Sequence, residues 1–516
     1  MRFAIHTAPL MNRRPDLYVA TFAAVVIAFG IGVPAARATL DDTVRADLGF
    51  AQDRLAATAS SIPPGRYPAR TGPDGDWVTT GPSEWTSGFF PGSLWLAHGT
   101  TGDPYLRSQA ETRLAGLRGQ RRDVSGNDQG FKLLGSFGNA YRLTGEDRYR
   151  RVLLRGAKSL ASRFSPVVGA TRSWGSGSSP DFTVIVDNLM NLELLFWASK
   201  HGGDPALYGM ALSHALRTMR DHVRGDGSTY HVVDYDPSTG LAKRRRTRQG
   251  YARDSTWSRG QAWAVYGFTM AYRETGDRRL LDTARRTADW FVAHLPPDLV
   301  PYWDFDAPRI PDAPRDSSAA AIAASGLLEL AALEPDAARA ARYRGSAESI
   351  IGALSSPEYL ARGRPTSAIL LHGTQDRPKG SYDTGLVFGD YYFVEALLRH
   401  QAPPQPPDTP ELDVRLLRVG DELRARVESD QPGRIRAALL ARRGTARKLG
   451  LTTRRSGVIG HGHGRVRRPG GTWLRVRVER GARTELRRLD DARARLSVVM
   501  RTAGGAVSAT AVSVSL

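Results

Sequence analysis

One phrase recurs along the first 400 residues of the chain. It reads Leu96-Ala-His-Gly-Thr-Thr-Gly-Asp103 and returns as Ala140-Tyr-Arg-Leu-Thr-Gly-Glu-Asp147, Ala198-Ser-Lys-His-Gly-Gly-Asp204, Ala271-Tyr-Arg-Glu-Thr-Gly-Asp277 and, more weakly, Leu330-Ala-Ala-Leu-Glu-Pro-Asp336. Gly commonly ends a helix in the left-handed conformation, and Asp caps the next helix by accepting its free N–H groups. Each phrase is therefore predicted to be the tight turn of a helical hairpin, and such regular recurrence is typical of helical arrays.

The helix before each turn is apolar, and the helix after it is amphipathic and rich in Arg. Apolar helices belong inside a fold and amphipathic helices outside it. Inner helices are predicted to begin near Gly88, Asp128, Asp187, Ser258, Ser317 and Thr384, and outer helices near Asp41, Asp103, Asp147, Asp204, Asp277 and Asp336. This alternation predicts an all-α (α/α)6 barrel, a six-hairpin toroid. All inner helices would run the same way, so their N-termini would gather at one mouth.

The ends of the chain have a different character. Residues 1–38 combine Arg13-Arg14, an apolar stretch over residues 17–33 and the small-residue site Ala36-Arg37-Ala38, which together predict a cleaved signal peptide and a secreted or cell-envelope protein. The barrel is predicted over residues 39–402, and the Pro-rich residues 403–410 read as a stiff linker. Alternating apolar runs in residues 411–516 predict a small C-terminal β-sandwich. An uncleaved membrane anchor is the alternative to signal cleavage.

The composition bounds the function. The 516 residues contain no Cys, which excludes disulfides, thiolate catalysis and Cys-ligated metals. The net charge is +20, and residues 405–516 alone hold 24 Lys+Arg against 11 Asp+Glu. Most of these Arg alternate with apolar residues, which is typical of the solvated face of a strand. The alternative is a surface for an anionic glycan or the cell wall; nucleic acid is not expected, because the basic residues lack aromatic interleaving.

Two carboxylates open neighbouring inner helices at the predicted mouth. Asp128 stands in Gly126-Asn-Asp-Gln-Gly-Phe131, and Asp187 stands in Val186-Asp-Asn-Leu-Met-Asn191. Asp is a favoured N-cap, so both could simply cap their helices. Alternatively, two carboxylates in one cleft separate in pKa, so that the second one stays protonated as a general acid. The acid–base pair is the functional hypothesis.

Other residues at the predicted mouth are of types that can bind a sugar. Trp85, Trp174, Trp257 and Trp263 lie on or beside loops serving this end and could stack on sugar rings. Arg259 could bind a substrate carboxylate with its planar fork, or form a salt bridge to Asp254 or another loop Asp. His231 has strand-like surroundings and could equally be structural. No metal site is predicted, since His461-Gly-His463 lacks further ligands.

At this point the motifs resemble glycoside hydrolase family 88, the unsaturated glucuronyl hydrolases. The likeness spans residues 41–400, with the motifs in the family's order. It rests on the stretches Trp85-Thr-Ser-Gly-Phe-Phe-Pro-Gly92, Asp187-Asn-Leu-Met-Asn191, Asp254-Ser-Thr-Trp-Ser-Arg-Gly-Gln-Ala-Trp263, Pro301-Tyr-Trp-Asp-Phe305 and Gly389-Asp-Tyr-Tyr392. The family's (α/α)6 barrel agrees with the helix count.

The resemblance implies removal of a Δ4,5-unsaturated uronic acid from the non-reducing end of lyase-generated oligosaccharides, by hydration of the enol ether and without a cofactor or metal. By position, Asp187 would protonate C4 and help water to add at C5, while Asp128 would bind ring hydroxyls and support Asp187. The substrate pocket would be lined by Trp85, Phe89, Asn127, Trp174, His231, Gln249, Trp257, Arg259 and Trp263. Asn127 stands where some members have His, so recognition at that side of the sugar differs.

Two alternatives remain at the level of sequence. One keeps the barrel but makes it an unsaturated rhamnogalacturonyl hydrolase, against which the Trp85 motif argues. The other is a non-catalytic exported glycan-binding protein. The basic run Lys243-Arg-Arg-Arg-Thr-Arg248 could recruit sulfated or acidic oligosaccharides, or could be a solvated charge run.

Overall fold

The computed structural model describes residues 32–176, 178–402, 411–419, 422–451, 457–486, 489 and 492–516. Residues from Asp47 to Leu516 form one compact unit, and a separate unit ends at Ala46. Most of the predicted signal peptide and all of the predicted linker, residues 403–410, lie outside the described residues. Every helix within the described ranges is too short or too polar to cross a membrane.

The described helices alternate between an inner and an outer ring, as the repeated phrase predicts. The inner helices are Phe89–Thr101, a segmented second helix (Gln129–Leu133, the π-helical turn Leu134–Gly138 and Asn139–Thr144), Asn188–Lys200, Ser258–Thr275, Ser317–Leu333 and Val387–Gln401. The outer helices are Gly32–Ser61, Pro104–Leu117, Asp147–Ala161, Ala206–Asp221, Arg278–Ala293 and Ala337–Leu354. Each inner helix packs against the next, and the sixth packs against the first, which closes an (α/α)6 ring.

The Gly–Asp turns behave as expected. Gly102, Gly145 and Gly276 end their helices at φ values of 65–70°, where a side chain would be strained. The carboxylate of Asp103 accepts from the Tyr105 N–H at 2.8 Å, and Asp277 caps its helix in the same way. Each such cap contributes about 1 kcal/mol to stability.

Three helix boundaries differ from the prediction. The first outer helix begins at Gly32 rather than near Asp41, and the second inner helix is interrupted by its π turn. The sixth inner helix begins at Val387 rather than near Thr384. The reason is tertiary, because Thr384 exchanges backbone hydrogen bonds with Gly373 and is held in an extended conformation.

Short strands form in the segments that connect the helices of the barrel. They are β1 Tyr67–Thr71 with β2 Trp77–Thr80, β3 Phe164–Ser165 with β4 Ala170–Thr171, and the three-stranded sheet β5 Phe182–Ile185, β6 Val232–Tyr235 and β7 Ala242–Arg246. The three-stranded sheet matters for function, since β5 leads directly into Asp187 and β6 follows His231.

The C-terminal region is β-rich, as predicted, but the sandwich is not confirmed. Its described strands are β8 Leu412–Val419, β9 Glu422–Ser429, β10 Gly433–Ala441, β11 Val458–Val466, β12 Gly470–Val478, β13 Arg493–Thr502 and β14 Val507–Ser515, with short helices Arg443–Lys448 and Arg480–Leu486. They join in one antiparallel sheet of order β14-β13-β10-β11-β12-β9-β8, and the edge strands β14 and β8 also approach each other. One curled sheet therefore encloses this core.

Several arginines of the C-terminal sheet dock it on the barrel. Strands β10, β13 and β14 pack on the outer helix Ala206–Asp221. Arg436 donates to the Ser199 carbonyl at 3.0 Å, and Arg501 donates to the Lys200 carbonyl at 2.8 Å. Both carbonyls lie at the end of an inner helix, where cations complement the helix dipole. Part of the C-terminal basic excess therefore serves the attachment of the sheet.

Candidate active site

The two candidate carboxylates start neighbouring inner helices at one mouth of the ring. Asp128 immediately precedes Gln129–Leu133, and Asp187 immediately precedes Asn188–Lys200. Neither side chain makes a capping hydrogen bond. At the second inner helix the side chain of Asn191 does this instead, and its Oδ1 accepts from the N–H groups of Gly130 and Phe131 at 2.8 and 3.1 Å. Capping therefore does not explain either carboxylate.

Asp187 is largely enclosed, with 13% of its side chain exposed. Burial raises the pKa of Asp187 to about 7; the charge of Asp128 acts in the same direction, and the Arg259 guanidinium opposes both. Its Oδ2 has no hydrogen-bond partner among the described residues and lies 3.7 Å from Nε2 of His231. A carboxyl group of this kind holds its proton near neutral pH, as a general acid requires.

Asp128 has a lower pKa than Asp187. Burial raises it to about 6, against the effect of the nearby Lys132 ammonium and the Asn191 amide. Asn127 donates from Nδ2 to Asp128 at 2.9 Å and also bonds Asn188. Asp128 therefore ionises before Asp187, and its charge helps to keep the proton on Asp187.

His231 is positioned by the three-stranded sheet. The Val186 N–H donates to the His231 carbonyl at 2.9 Å, which sets this residue beside Asp187. Its Nδ1 accepts from the Arg248 N–H at 3.3 Å, so the ring proton is on Nε2, facing Asp187. Burial and the Arg259 charge hold the pKa of His231 well below its usual value. His231 is therefore a neutral hydrogen-bond donor to the mouth, stacked on Trp257 at 4.3 Å.

Arg259 forms a salt bridge, as one of its predicted alternatives, but its partner is Asp316 and not Asp254. Its Nη1 lies 2.8 Å from Asp316, and both side chains are buried. Asp254 instead pairs with Arg253 at the surface. The same guanidinium donates to backbone carbonyls of Thr374 and Gln375, and Gln249 donates to the Gln375 carbonyl at 2.8 Å. Arg259 and Gln249 thus fix the loop before the sixth inner helix.

The predicted aromatic residues divide into two groups. Phe89, Trp257 and Trp263 are at most 3% exposed and form part of the wall. Trp85 and Trp174 are only half-buried, so their rings remain open to a ligand. Trp85 lies 4.9 Å from the ring of Phe388, and the guanidinium of Arg248 lies 4.9 Å from the ring of Trp174. The indole N–H of Trp263 lowers the pKa of Asp187, although its nitrogen has no hydrogen-bond partner within 3.5 Å in the described part of the chain.

The basic run on β7 is mostly paired. Lys243 bonds Asp181, and Arg244 and Arg246 both bond the buried Asp234 at 2.7 Å. Most of the run therefore stabilises the three-stranded sheet that carries His231. Arg248 follows the end of the strand, and its guanidinium packs over the ring of Trp174 at the mouth.

Sequence analysis missed three supporting residues. Asn188 and Asn191 lie in the quoted motif but have no role assigned from the sequence, and Asp316, just before the predicted helix start at Ser317, has none either. Their roles depend on neighbouring inner helices, 57–61 residues away along the chain. For the two asparagines a signal was available in the sequence. They follow Asp187 by one and four residues, and this spacing of three places them on the same side of a helix.

A cavity of about 670 Å³ lies inside the ring, and neither carboxylate lines it. Its lining runs from Phe89 and Phe131, near the starts of inner helices, to Trp197 and Arg399, near the ends of others. Within the described residues, no cluster of three or more His, Asp or Glu side chains is arranged to hold a metal ion. His461 is exposed and lies 3.3 Å from Asp204.

Comparison with known proteins identifies the family. The sequence model of Glycosyl Hydrolase Family 88 matches residues 72–329. An unsaturated glucuronyl hydrolase of Formosa agariphila is 42% identical over 62% of this chain and 80% of its own length. The chain belongs to Glycosyl Hydrolase Family 88. The predicted family and the predicted enzyme class, a glycoside hydrolase, are confirmed.

Two further members of family 88 extend the comparison. An unsaturated chondroitin disaccharide hydrolase of Streptococcus pyogenes is 34% identical over 64% of this chain and 85% of its own length. The crystal structure of an unsaturated glucuronyl hydrolase specific for heparin matches with a TM-score of 0.67 and 40% identity, covering 70% of this chain and 97% of that one. The predicted (α/α)6 barrel agrees with the fold of these relatives.

Proposed function

We propose that the protein removes a Δ4,5-unsaturated uronic acid from the non-reducing end of lyase-generated oligosaccharides, by hydrating the C4=C5 enol ether. The observation that carries this proposal is Asp187, a mouth carboxyl group with a pKa of about 7 and a free oxygen. Vinyl ether hydration begins with proton transfer to carbon, for which such a group is suited. The activities named for the family 88 relatives support the substrate class.

The reaction needs one acid and one water. Protonated Asp187 gives its proton to C4, and positive charge develops at C5 and the ring oxygen. The Asp187 carboxylate then takes a proton from the water that attacks C5, so it ends the step protonated again. The product is a hemiketal at C5. It opens to a C5 ketone, which turns C1 into a hemiacetal that expels the remaining sugar.

Asp128 supports this step through its charge. With a pKa of about 6 it is ionised when Asp187 is still protonated. Its carboxylate can accept hydrogen bonds from ring hydroxyls and stabilises the developing positive charge. His231 presents its Nε2–H at the same side of the site, 3.7 Å from Asp187, where it can donate to the substrate. Trp85 and Trp174 offer ring faces on which the sugar packs.

The decisive experiment follows the ultraviolet absorbance of unsaturated disaccharides made by lyases from several polysaccharides, chondroitin and heparin among them. Hydration destroys the conjugated double bond, so wild type should abolish the signal. Asp187→Asn should leave it unchanged while the protein stays folded. Asp390→Asn is the matched control, because Asp390 is also buried with a pKa of about 7 but bonds the Ile369 and Leu370 N–H groups.

Three possible results distinguish the alternatives. Loss of absorbance with wild type and Asp390→Asn, but not with Asp187→Asn, supports the proposal. Loss only with unsaturated rhamnogalacturonan fragments would favour the rhamnogalacturonyl hydrolase. No loss with any disaccharide would refute the proposed reaction for these substrates.

We propose also that the protein is exported. The support is the sequence of residues 1–38, with its basic start, apolar centre and Ala36-Arg37-Ala38 site. N-terminal sequencing of protein from the extracellular or envelope fraction should begin after Ala38. Recovery of the intact chain from the cytoplasm would contradict export.

A further inference from the structure

Three strands of the C-terminal sheet present an exposed outer surface. Strands β8, β9 and β12 are adjacent in the sheet, and residues directly opposite each other lie on the same face. The face opposite the core carries Arg415, Leu417, Arg424, Arg426, Trp473, Arg475 and Arg477, which we call the Trp473 face. The alternating residues, such as Leu474 and Ala425, are buried in the core of the sheet.

Trp473 is unusual in this position. It is 48% exposed, and Leu417, which lies in the adjacent row with Arg424 and Arg475, is 49% exposed. Neighbouring strands are about 4.8 Å apart, so the row Arg415–Arg426–Trp473 spans about 10 Å across three strands. The guanidinium of Arg426 lies 5.7 Å from the indole ring. The exposed indole and the Arg426 guanidinium beside it form a platform about the size of a sugar unit.

This face carries both positive and negative side chains, and the positive ones are in excess. Five arginines face three carboxylates, Asp413, Glu422 and Glu428, each of which pairs with a neighbouring Arg. The pairs leave further guanidinium N–H groups and carboxylate lone pairs for a ligand. Arg477 lies opposite the exposed His461 on β11 and extends the basic surface.

We infer that the Trp473 face binds an anionic polysaccharide chain. The arginines match its carboxylate or sulfate groups, the indole packs on a sugar ring, and the three carboxylates accept hydrogen bonds from hydroxyls. A nucleic-acid backbone fits less well, because its phosphates offer acceptors and no donors to those carboxylates. The surface belongs to a different region from the mouth of the barrel, and the inference does not depend on the proposed reaction.

The test measures binding of the full-length protein to chondroitin sulfate chains with saturated ends, by affinity electrophoresis at physiological salt. Trp473→Ala should weaken binding about tenfold or more, as truncation of an anchoring interface Trp does. The double variant Arg475→Gln, Arg477→Gln should weaken it similarly. The matched controls are Tyr105→Ala, an exposed aromatic residue on an outer helix, and Arg286→Gln with Arg339→Gln, which remove the same charge from the outer ring.

Turnover of an unsaturated disaccharide is measured for every variant and should be unchanged, which also shows that each is folded. Equal loss of binding in the patch and control variants would overturn the inference, since the net charge alone would then explain it. So would Trp473-dependent binding of single-stranded DNA without binding of chondroitin sulfate. Failure of turnover in wild type would refute the proposed reaction and leave the binding result standing.

Discussion

The raised pKa of Asp187 predicts that this carboxyl group makes the fold less stable at alkaline pH. An unfolded Asp has a pKa of about 3.9, and in the folded protein burial raises the pKa of Asp187 to about 7. Below about pH 3.9 the carboxyl group is protonated in both states and carries no penalty. As pH rises toward 7, the unfolded state loses the proton first, so the folded state is destabilised progressively; above about pH 7 the effect is constant.

The magnitude follows from the shift. Three pKa units correspond to about 4 kcal/mol at 1.36 kcal/mol per unit, and at pH 5 the penalty is about 1.5 kcal/mol. Asp187→Asn keeps the shape of the side chain and removes the charge. The variant should therefore be inactive yet more stable than wild type, by about 4 kcal/mol at pH 8 and by about 1.5 kcal/mol at pH 5.

Urea denaturation of both proteins at pH 5 and pH 8 measures this difference. The informative quantity is the change in the stability gap between the two pH values, about 2.5 kcal/mol, because any packing cost of the amide is common to both. Asp282→Asn, at an exposed position on an outer helix, is the control and should show no such change. A gap that is the same at both pH values would refute the assignment of a buried, proton-holding Asp187.

Three further outcomes are expected. The rate of hydration should fall as pH rises through about 7, where Asp187 loses its proton. Asp128→Asn should move this fall to lower pH, because it removes a charge that raises the pKa of Asp187. An unchanged pH–rate profile in the variant would contradict this coupling between the two carboxylates. Asp316→Ala should destabilise the fold by roughly 3–5 kcal/mol in thermal or urea unfolding, since it leaves the Arg259 charge buried and unpaired, and a loss below 1 kcal/mol would argue against that salt bridge. Asn191→Ala should cost about 1–2 kcal/mol in urea unfolding because two helix N–H groups lose their acceptor, and an unchanged stability would contradict this capping role.

The hydrogen bonds that Asn191 accepts at the second inner helix explain how Asp128, an aspartate at a helix start, remains available for chemistry. The position before a helix normally recruits an Asp side chain for capping. Here the free N–H groups of Gly130 and Phe131 are satisfied from the neighbouring inner helix. Asp128 is thereby released to the mouth, where burial raises its pKa instead of the helix lowering it.

The helical repeat and the family could be predicted from the sequence because both depend on local sequence motifs. The Gly–Asp phrase specifies a turn by backbone conformation and by a cap two residues on, so the helix pairs and their direction follow from it. The starts of inner helices at Asp128, Asp187, Ser258 and Ser317 were predicted to within a residue or two. The predicted sandwich was not confirmed, since alternation shows that a strand has a buried face but does not tell which strands pair.

The sequence by itself therefore determined the order of helices, the mouth at which the unusual residues gather, and the two candidate carboxylates. Only the tertiary structure decided what each side chain does there. It pairs Arg259 with Asp316, orients the Nε2 proton of His231 toward Asp187, and frees both carboxylates from capping. The physical reason is that pKa and hydrogen bonding depend on burial and on partners brought from distant helices, which no local pattern encodes.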